Sequence, residues 1–193
     1  MTLSRGEPQG VAARASQFLV RWRGRLLEAA RLGPVLDVAC GDGRNGLHLA
    51  WFGARVVMLD RSDEALAGLR DLGRPEYASF ARMDLETPGP PSFGNGLFGA
   101  VLVFRYLHRP LVPALKACLK PGGMLVWETF LEGQEAYGRP RNPDHLLRKG
   151  ELASWFKDFQ VLELFEGFLD DPPRVMGRVA CVRNLPVASR RAH

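Results

Sequence analysis

The chain has 193 residues, of which 46% are hydrophobic and 24% are charged, and this is the composition of an ordinary globular domain. No apolar run approaches the roughly 20 residues of a membrane helix, and the first ten residues are polar. We therefore predict one cytoplasmic domain over residues 11–185, between flexible tails at 1–10 and 186–193. The three cysteines lie far apart without metal-ligand spacing, which indicates reduced thiols and no metal site.

The formal net charge is +5, and arginine supplies nearly all of the positive charge. A basic chain of this kind is able to bind nucleic acid. A general bias of the composition toward arginine, glycine, proline and leucine explains the same charge without such a partner. We favour the second interpretation and leave the first open.

The N-terminal part of the chain predicts an amphipathic helix within residues 11–33. Apolar side chains recur there at steps of three and four residues, arginines lie on the opposite face, and Gly33 and Pro34 end the helix. We expect the apolar stripe to pack on a sheet and the arginine face to be solvated.

Residues 35–50 read VLDVACGDGRNGLHLA and predict a strand, a tight turn and a helix. Glycines in the turn let the main chain lie close to a ligand, and the first amides of the helix point toward that ligand. The spacing Gly41-x-Gly43-x-x-Gly46 matches a dinucleotide-binding fingerprint. Asp37 lies inside the strand, where a nicotinamide site needs no charge. A carboxylate there suits the methionine ammonium of S-adenosylmethionine (SAM).

Carboxylates also follow the next two predicted strands. The second strand, at residues 55–59, is followed by Asp60, at close to the roughly 20-residue distance from the glycine turn that is expected of a ribose-binding carboxylate. The third strand, at residues 77–83, is followed by Asp84. With Asp37, these acids are what a cationic cofactor with an adenosine group requires.

A nearly continuous apolar strand at residues 97–104 leads into Arg-Tyr-Leu-His-Arg-Pro at 105–110, and Pro110 begins a helix. Leu-Lys-Pro-Gly-Gly at 119–123 precedes a fifth strand at 124–130. Residues 131–149 form a long polar loop, which we predict to be a lid or binding segment.

The C-terminal part of the chain predicts a helix at residues 150–158 and strands at 159–168 and 175–183. The connection between these two strands is short, so they must be antiparallel.

The acid and Gly-x-Gly of residues 37–43, the acids after strands two and three, and the Leu-Lys-Pro-Gly-Gly run resemble the class I SAM-dependent methyltransferases over residues 35–130. The resemblance implies an α/β, Rossmann-like three-layer sandwich with a mostly parallel seven-stranded sheet and an antiparallel terminal hairpin. It implies that S-adenosyl-L-methionine is the cofactor. The residues that the resemblance and the strand-end positions assign to cofactor binding are Asp37, Ala39, Gly41, Gly43, Asn45, Asp60, Arg61, Asp84, Leu85 and Phe104.

Methyl transfer from a sulfonium is an in-line displacement, for which the protein mainly supplies positioning and exclusion of water. The catalytic candidates at the end of the fourth strand are Tyr106, His108 and Arg109. His108 is either a general base or a histidine bonded to the backbone at a strand–helix junction. Arg105 and Arg109 suit an anionic substrate.

The run at residues 105–110 is similar to that of small tellurite-resistance-type methyltransferases. This resemblance implies an anionic or soft, small-molecule acceptor. An RNA or protein acceptor, a SAM-binding module without catalysis, and a nicotinamide-dependent oxidoreductase that uses the same glycine turn are the alternatives. The sequence leaves a monomer and a homodimer equally open.

Overall fold

The computed structural model describes residues 10–72, 76–87, 89 and 92–186. Of the two predicted tails, all but Gly10 and Pro186 lie outside the described residues. No helix in the described part is long and apolar enough to cross a membrane.

Five parallel strands form most of a single sheet, and an antiparallel hairpin completes it. The parallel strands are β1 (Val35–Val38), β2 (Val56–Asp60), β3 (Ala78–Arg82), β4 (Phe98–Phe104) and β5 (Leu119–Phe130), and the hairpin strands are β6 (Phe159–Leu169) and β7 (Arg174–Arg183). The order across the seven-stranded sheet is β3-β2-β1-β4-β5-β7-β6, with β7 antiparallel to β5. The predicted fold is therefore confirmed.

Helices cover both faces of the sheet, which gives the three layers. On one face, α1 (Gln17–Ala29), α2 (Arg44–Trp51) and α3 (Asp63–Leu72) pack on the sheet through side chains such as Leu26, Leu49 and Leu66. On the other face, α4 (Val112–Cys118) and α5 (Glu151–Trp155) bury Leu115 and Leu152 against Trp127. Both faces of the central strands are covered, which explains why β4 is buried along its whole length.

The N-terminal helix predicted within residues 11–33 is divided in two. A 3-10 turn at Gly10–Arg14 precedes α1, and Ser16 between them has extended ψ. The Oγ of Ser16 accepts a hydrogen bond from the Phe18 N–H (3.2 Å), and the Ser16 N–H donates to Asn45 Oδ1 (2.9 Å). Ser16 is therefore the N-cap of α1. Because an N-cap residue has non-helical backbone angles, the helix is interrupted at Ser16.

Two further element boundaries differ from the predictions. β5 begins at Leu119 because Leu119 pairs with Phe98, and a register shift between Phe98 and Ala100 accommodates the Pro-Gly-Gly turn within the strand. α5 ends at Trp155 rather than at residue 158, and Lys116 Nζ donates to the carbonyl oxygen of Trp155 (2.7 Å). The carbonyl of the last helical residue thus accepts a hydrogen bond from a side chain outside the helix.

Candidate active site

A cavity of about 320 Å³ opens at the edge of the sheet where the parallel strands have their carboxyl ends. The strand order reverses between β1 and β4, and the cavity lies beside the ends of these two strands. Open α/β sheets bind ligands at such a switch point. The lining residues come from the ends of β1 to β5 and from the loop after β5: Ala39, Asp60, Arg61, Met83, Asp84, Leu85, Glu86, Arg105, Tyr106, Leu107, Phe130, Pro140 and His145.

The glycine-rich turn between β1 and α2 lies beside this cavity. Gly43 has φ of 67°, a left-handed conformation that favours glycine, and it precedes the first residue of α2. At Gly46 a Cβ atom would lie 2.6 Å from Asp37 Oδ2 and 2.9 Å from Met58 Cε. The third glycine of the fingerprint thus permits α2 to pack closely on β1 and β2, as in nucleotide-binding turns.

Asp37 lies beneath this turn. Its side chain is buried, and Oδ2 accepts a hydrogen bond from the Gly46 N–H at 2.9 Å. Burial raises the pKa of Asp37 to about 7, against the opposing effect of that hydrogen bond. Asp37 does not line the cavity, so its contact with the cofactor's ammonium group stays a prediction.

Asp60 joins the end of β2 to the glycine turn. Its Oδ2 accepts a hydrogen bond from the Gly41 N–H (2.8 Å), and its Oδ1 accepts one from the Ser62 N–H (3.0 Å). Both bonds fix the carboxylate at the wall of the cavity. An orientated carboxylate in this position suits the two hydroxyls of a ribose.

The adjacent part of the cavity combines acids with apolar surface. Asp84 lines it and accepts a hydrogen bond from the Glu86 N–H (3.0 Å), and Ala39, Met83 and Leu85 supply apolar atoms. A purine ring with an exocyclic amino group needs this combination of acceptor and apolar contact. The hydrogen-bond acceptors and apolar side chains of the cavity therefore fit the adenosine part of SAM.

Two residues at the strand ends have a backbone conformation that is unusual for residues with a side chain. Ala39, after β1, has φ of 51°, and Arg105, after β4, has φ of 55°. Both line the cavity. Such conformations cost about 1–3 kcal/mol each and cluster at functional sites, where the surrounding structure holds them in place.

Arg105 and Tyr106 also bring polar atoms to the wall of the cavity. The hydroxyl of Tyr106 is buried and has no hydrogen-bond partner among the described residues. Burial raises the pKa of Tyr106, and the nearby Glu86 carboxylate raises it further. The phenol therefore stays protonated at neutral pH and is available to donate to a bound molecule.

Arg105 forms no ion pair within the described part of the chain, and its guanidinium carbon lies 5.9 Å from the centre of the Phe130 ring. Burial lowers the pKa of Arg105, but a guanidinium keeps its charge in proteins. Its positive charge is thus available to an anion in the cavity.

His108 and Arg109 lie outside this cavity. Both line a neighbouring one of about 290 Å³, which shares Glu86, Leu107 and His145 with the first. Arg109 pairs with Glu151 through Nε (2.8 Å) and Nη2 (2.9 Å). Neither residue lines the main cavity, and the catalytic roles predicted for His108 and Arg109 stay predictions.

The structure brings six of the predicted site residues together in the main cavity: Ala39, Asp60, Arg61, Asp84, Leu85 and Tyr106. Gly41 and Gly43 form the adjoining turn. Asn45 is buried under the N-terminal segment, where its Oδ1 accepts from the Ser16 N–H, and Phe104 is buried in the core on the α1 side of the sheet. Cofactor contacts of Asn45 and Phe104 stay predictions.

Phe130 and His145 line the cavity but were not among the predicted site residues. Phe130 is the last residue of β5, so the rule that strand ends carry ligand contacts would have selected it. His145 lies in the polar loop, at the end of a 3-10 turn (Pro143–His145), and no sequence pattern indicates that this turn folds back to β4.

Comparisons with known proteins agree with this geometry. A family model described as a methyltransferase domain matches residues 35–123. A trans-aconitate 2-methyltransferase from Variovorax paradoxus is 36% identical over 104 residues, which cover 52% of this chain and 38% of the relative. A tRNA U34 carboxymethyltransferase from Idiomarina loihiensis is 29% identical over 162 residues, which cover 72% and 50%.

The chain is also similar to TehB, a probable SAM-dependent methyltransferase from Haemophilus influenzae, with 27% identity over 152 residues that cover 74% of this chain and 52% of the relative. The crystal structure of TehB from that organism superposes with a TM-score of 0.64 at 21% identity, covering 83% of this chain and 62% of that one. The chain spans about half or less of the length of these curated relatives. Sheet order, glycine turn and cavity agree with these comparisons: residues 35–123 form a methyltransferase domain, and the chain has the Rossmann-like fold of the class I SAM-dependent methyltransferases.

Proposed function

We propose that the protein transfers a methyl group from SAM to an anionic small molecule at the carboxyl edge of its sheet. The observation that carries the proposal is the composition of the main cavity. Its lining combines the carboxylates of Asp60 and Asp84 with the polar side chains of Arg105, Tyr106 and His145. SAM, when bound, supplies an activated methyl group on a sulfonium.

The residues of this chain then have separable roles. Asp60 holds the ribose hydroxyls, while Asp84 and Leu85 hold the adenine. Tyr106 donates a hydrogen bond from a phenol that has no partner of its own. Phe130 and the loop after it cover the cavity and exclude water. Water then does not compete with the acceptor for the methyl group.

Arg105 favours an anionic acceptor. A guanidinium with no carboxylate partner in the described structure binds a carboxylate or oxyanion strongly, whereas the guanidinium of Arg109 is already paired with Glu151. The trans-aconitate methyltransferase among the relatives acts on a small carboxylic acid, and this supports polycarboxylates as the first acceptors to test.

A carboxylate acceptor needs no general base, because its oxygen is already ionised. His108 lines the neighbouring cavity, and we assign it a catalytic role only toward acceptors that must lose a proton. His108→Ala should thus lower kcat with hydroxyl or thiol acceptors and leave kcat with carboxylates within about threefold.

Calorimetric titration with SAM, S-adenosylhomocysteine (SAH) and NAD tests the cofactor. We expect wild type to bind SAM and SAH but not NAD, and Asp60→Ala to weaken SAM binding about 100-fold through loss of charge-assisted hydrogen bonds to the ribose. Asp63→Ala is the matched control, since Asp63 is an exposed acid three positions away that pairs with Arg82. Binding of NAD alone would overturn the assignment to methyl transfer.

The acceptor is tested by release of SAH from SAM in the presence of trans-aconitate, citrate, selenite and thiols. We expect turnover with an anionic acceptor, and Arg105→Gln should raise its KM about tenfold with SAM affinity unchanged. SAM binding without turnover of any acceptor would instead support a SAM-binding module, and methylation of tRNA would support a nucleic-acid substrate.

A further inference from the structure

We infer that Arg109 and Glu151 position His145 in the wall shared by the two cavities, and that His145 contacts the anionic acceptor. The inference rests on the proposed function and names a binding residue and a positioning pair for it. His145 is the acceptor contact, whereas Arg109 and Glu151 act through it.

The hydrogen bonds of Arg109 converge on the backbone on both sides of His145. Its Nη1 donates to the carbonyl oxygen of Asp144 (3.1 Å), and its Nη2 donates to that of Leu146 (2.8 Å). The carbonyls before and after the histidine are thus held by one guanidinium, whose residue lies in the 3-10 turn (Arg109–Leu111) before α4.

Glu151 orientates the guanidinium. Its carboxylate oxygens lie 2.8 Å from Arg109 Nε and 2.9 Å from Arg109 Nη2, so the pair is bidentate. Glu151 also accepts the Arg148 N–H at 2.8 Å, which ties the carboxylate to the same loop. The side chains are only 30% and 17% exposed, so solvent screens this pair less than an ordinary surface pair.

The segment around His145 has further supports that leave the imidazole itself exposed. Asn142 Oδ1 accepts from the Asp144 N–H (3.0 Å) and caps the 3-10 turn that ends at His145. Leu146 and Leu147 are buried, and Leu147 forms an isolated bridge with Leu131. The backbone is therefore fixed on both sides of a side chain that is free to meet a ligand.

His145 lines both cavities, together with Glu86 and Leu107. An acceptor whose reacting end lies in the main cavity and whose remainder lies in the second one must pass this wall. Three basic side chains line the second cavity: His108, Arg109 and His145. The donors of Arg109 are occupied by Glu151 and two carbonyls, and His108 does not line the main cavity. The His145 imidazole has no hydrogen bond within the described structure and lines both cavities. His145 is thus the donor that remains for an anionic oxygen.

A double-mutant cycle separates this role from simple stabilisation of the fold. The probes are citrate and tricarballylate, titrated by calorimetry into protein saturated with SAH. The variants are His145→Asn, Arg109→Gln, Glu151→Gln and the Arg109→Gln/His145→Asn double variant. Lys149→Gln is the control because it removes a positive charge from an exposed side chain beside the same segment.

We expect His145→Asn and Arg109→Gln each to weaken tricarboxylate binding about tenfold and the double variant to bind no more weakly than His145→Asn, because coupled residues are non-additive. Glu151→Gln should show a smaller loss in the same direction. Lys149→Gln should bind as wild type does, and SAH affinity should be unchanged throughout.

NMR of the imidazole of His145, identified by its loss in His145→Asn, gives a readout that does not depend on turnover. Its resonance should move when citrate is added and should shift toward that of an unstructured histidine in Arg109→Gln. If Arg109→Gln does not fold, Arg109→Lys takes its place. Lysine keeps the positive charge but lacks the several N–H donors of the guanidinium.

The inference is overturned if neither tricarboxylate moves the His145 resonance, if losses in the double variant are additive, or if Arg109→Gln leaves that resonance unchanged. Failure of the proposed function has a different signature, because wild type would then either not bind SAH or release no SAH from SAM with any anionic acceptor.

Discussion

At the residue scale, two arginines four positions apart have opposite situations. Arg105 follows β4 in a left-handed conformation and has no ion-pair partner in the described structure, while Arg109 is held by Glu151 and two carbonyl oxygens. We therefore propose that Arg105 binds an anion and that Arg109 places a loop. Partners, not residue type, decide the role.

Asp37 leads to a prediction about stability and pH. Burial raises its native pKa to about 7, whereas an aspartate in an unfolded chain titrates near 3.9. Between these pH values the native state binds a proton that the unfolded chain has lost, so this contribution to stability is present at about pH 4 and is lost as the pH rises to about 7. The loss is on the order of 4 kcal/mol.

Asp37→Asn keeps an oxygen for the Gly46 N–H and cannot ionise. Urea unfolding from pH 4.5 to 9 should therefore show the variant gaining free energy of unfolding relative to wild type as the pH rises, with no further gain above about pH 8. A difference that does not vary with pH would contradict the raised pKa of Asp37.

At the element scale, two glutamates of the sheet hold α1, and the ion pairs that they form differ in exposure. Glu128 on β5 accepts from Ser16 Oγ (2.9 Å) and from Arg178 Nε (2.7 Å), and the side chains of the Glu128–Arg178 pair are 7% and 13% exposed. Arg21 of α1 pairs with Glu163 of β6, where the exposures are 62% and 25%. Burial thus distinguishes a pair that anchors the start of α1 from one that adds little.

We predict that Glu128→Ala lowers the free energy of unfolding by about 3–5 kcal/mol, because it leaves the buried charge of Arg178 unpaired. Glu163→Ala should cost about 1 kcal/mol or less, as exposed pairs do. Chemical denaturation of both variants is the measurement. Equal losses of the free energy of unfolding in the two variants would contradict the larger contribution that we assign to the buried pair.

At the scale of the whole molecule, the net charge of +5 does not form a free basic face on α1. Arg21 pairs with Glu163, Arg25 with Glu28, and Arg23 stacks on Phe52 with its guanidinium carbon 4.3 Å from the ring centre. The side chains of Arg21 and Arg25 are 62% and 54% exposed, which agrees with the predicted solvated face, and their carboxylate partners reduce what they gain from phosphates. The arrangement supports a small-molecule acceptor.

We predict weak binding to tRNA with a shallow dependence on salt. A protein that makes 6–10 phosphate contacts loses roughly 10³–10⁵ in affinity between 50 and 200 mM salt, and this chain should lose about tenfold or less. Fluorescence anisotropy with labelled tRNA over that range measures the slope. A steep slope would restore RNA as the favoured acceptor.

The sequence by itself determined most of the elements of this protein, the terminal hairpin, the glycine turn, and the acids within β1, at the end of β2 and after β3. These features are local, because periodicity specifies a strand or a helix and glycine specifies a turn within a few residues. The parallel arrangement then brings the strand ends to one edge, so that Asp60 and Asp84 lie together as expected.

Only the tertiary structure decided which polar residues share the site. Arg109 and Glu151 are 42 positions apart, and Arg109 and Leu146 are 37 apart. Their contacts depend on how the loop after β5 folds back over the sheet, and no local pattern specifies that path. The structure therefore separated Arg105 from Arg109, placed Asn45 against Ser16, and brought His145 to the cavity, because such contacts are set by packing across distant parts of the chain.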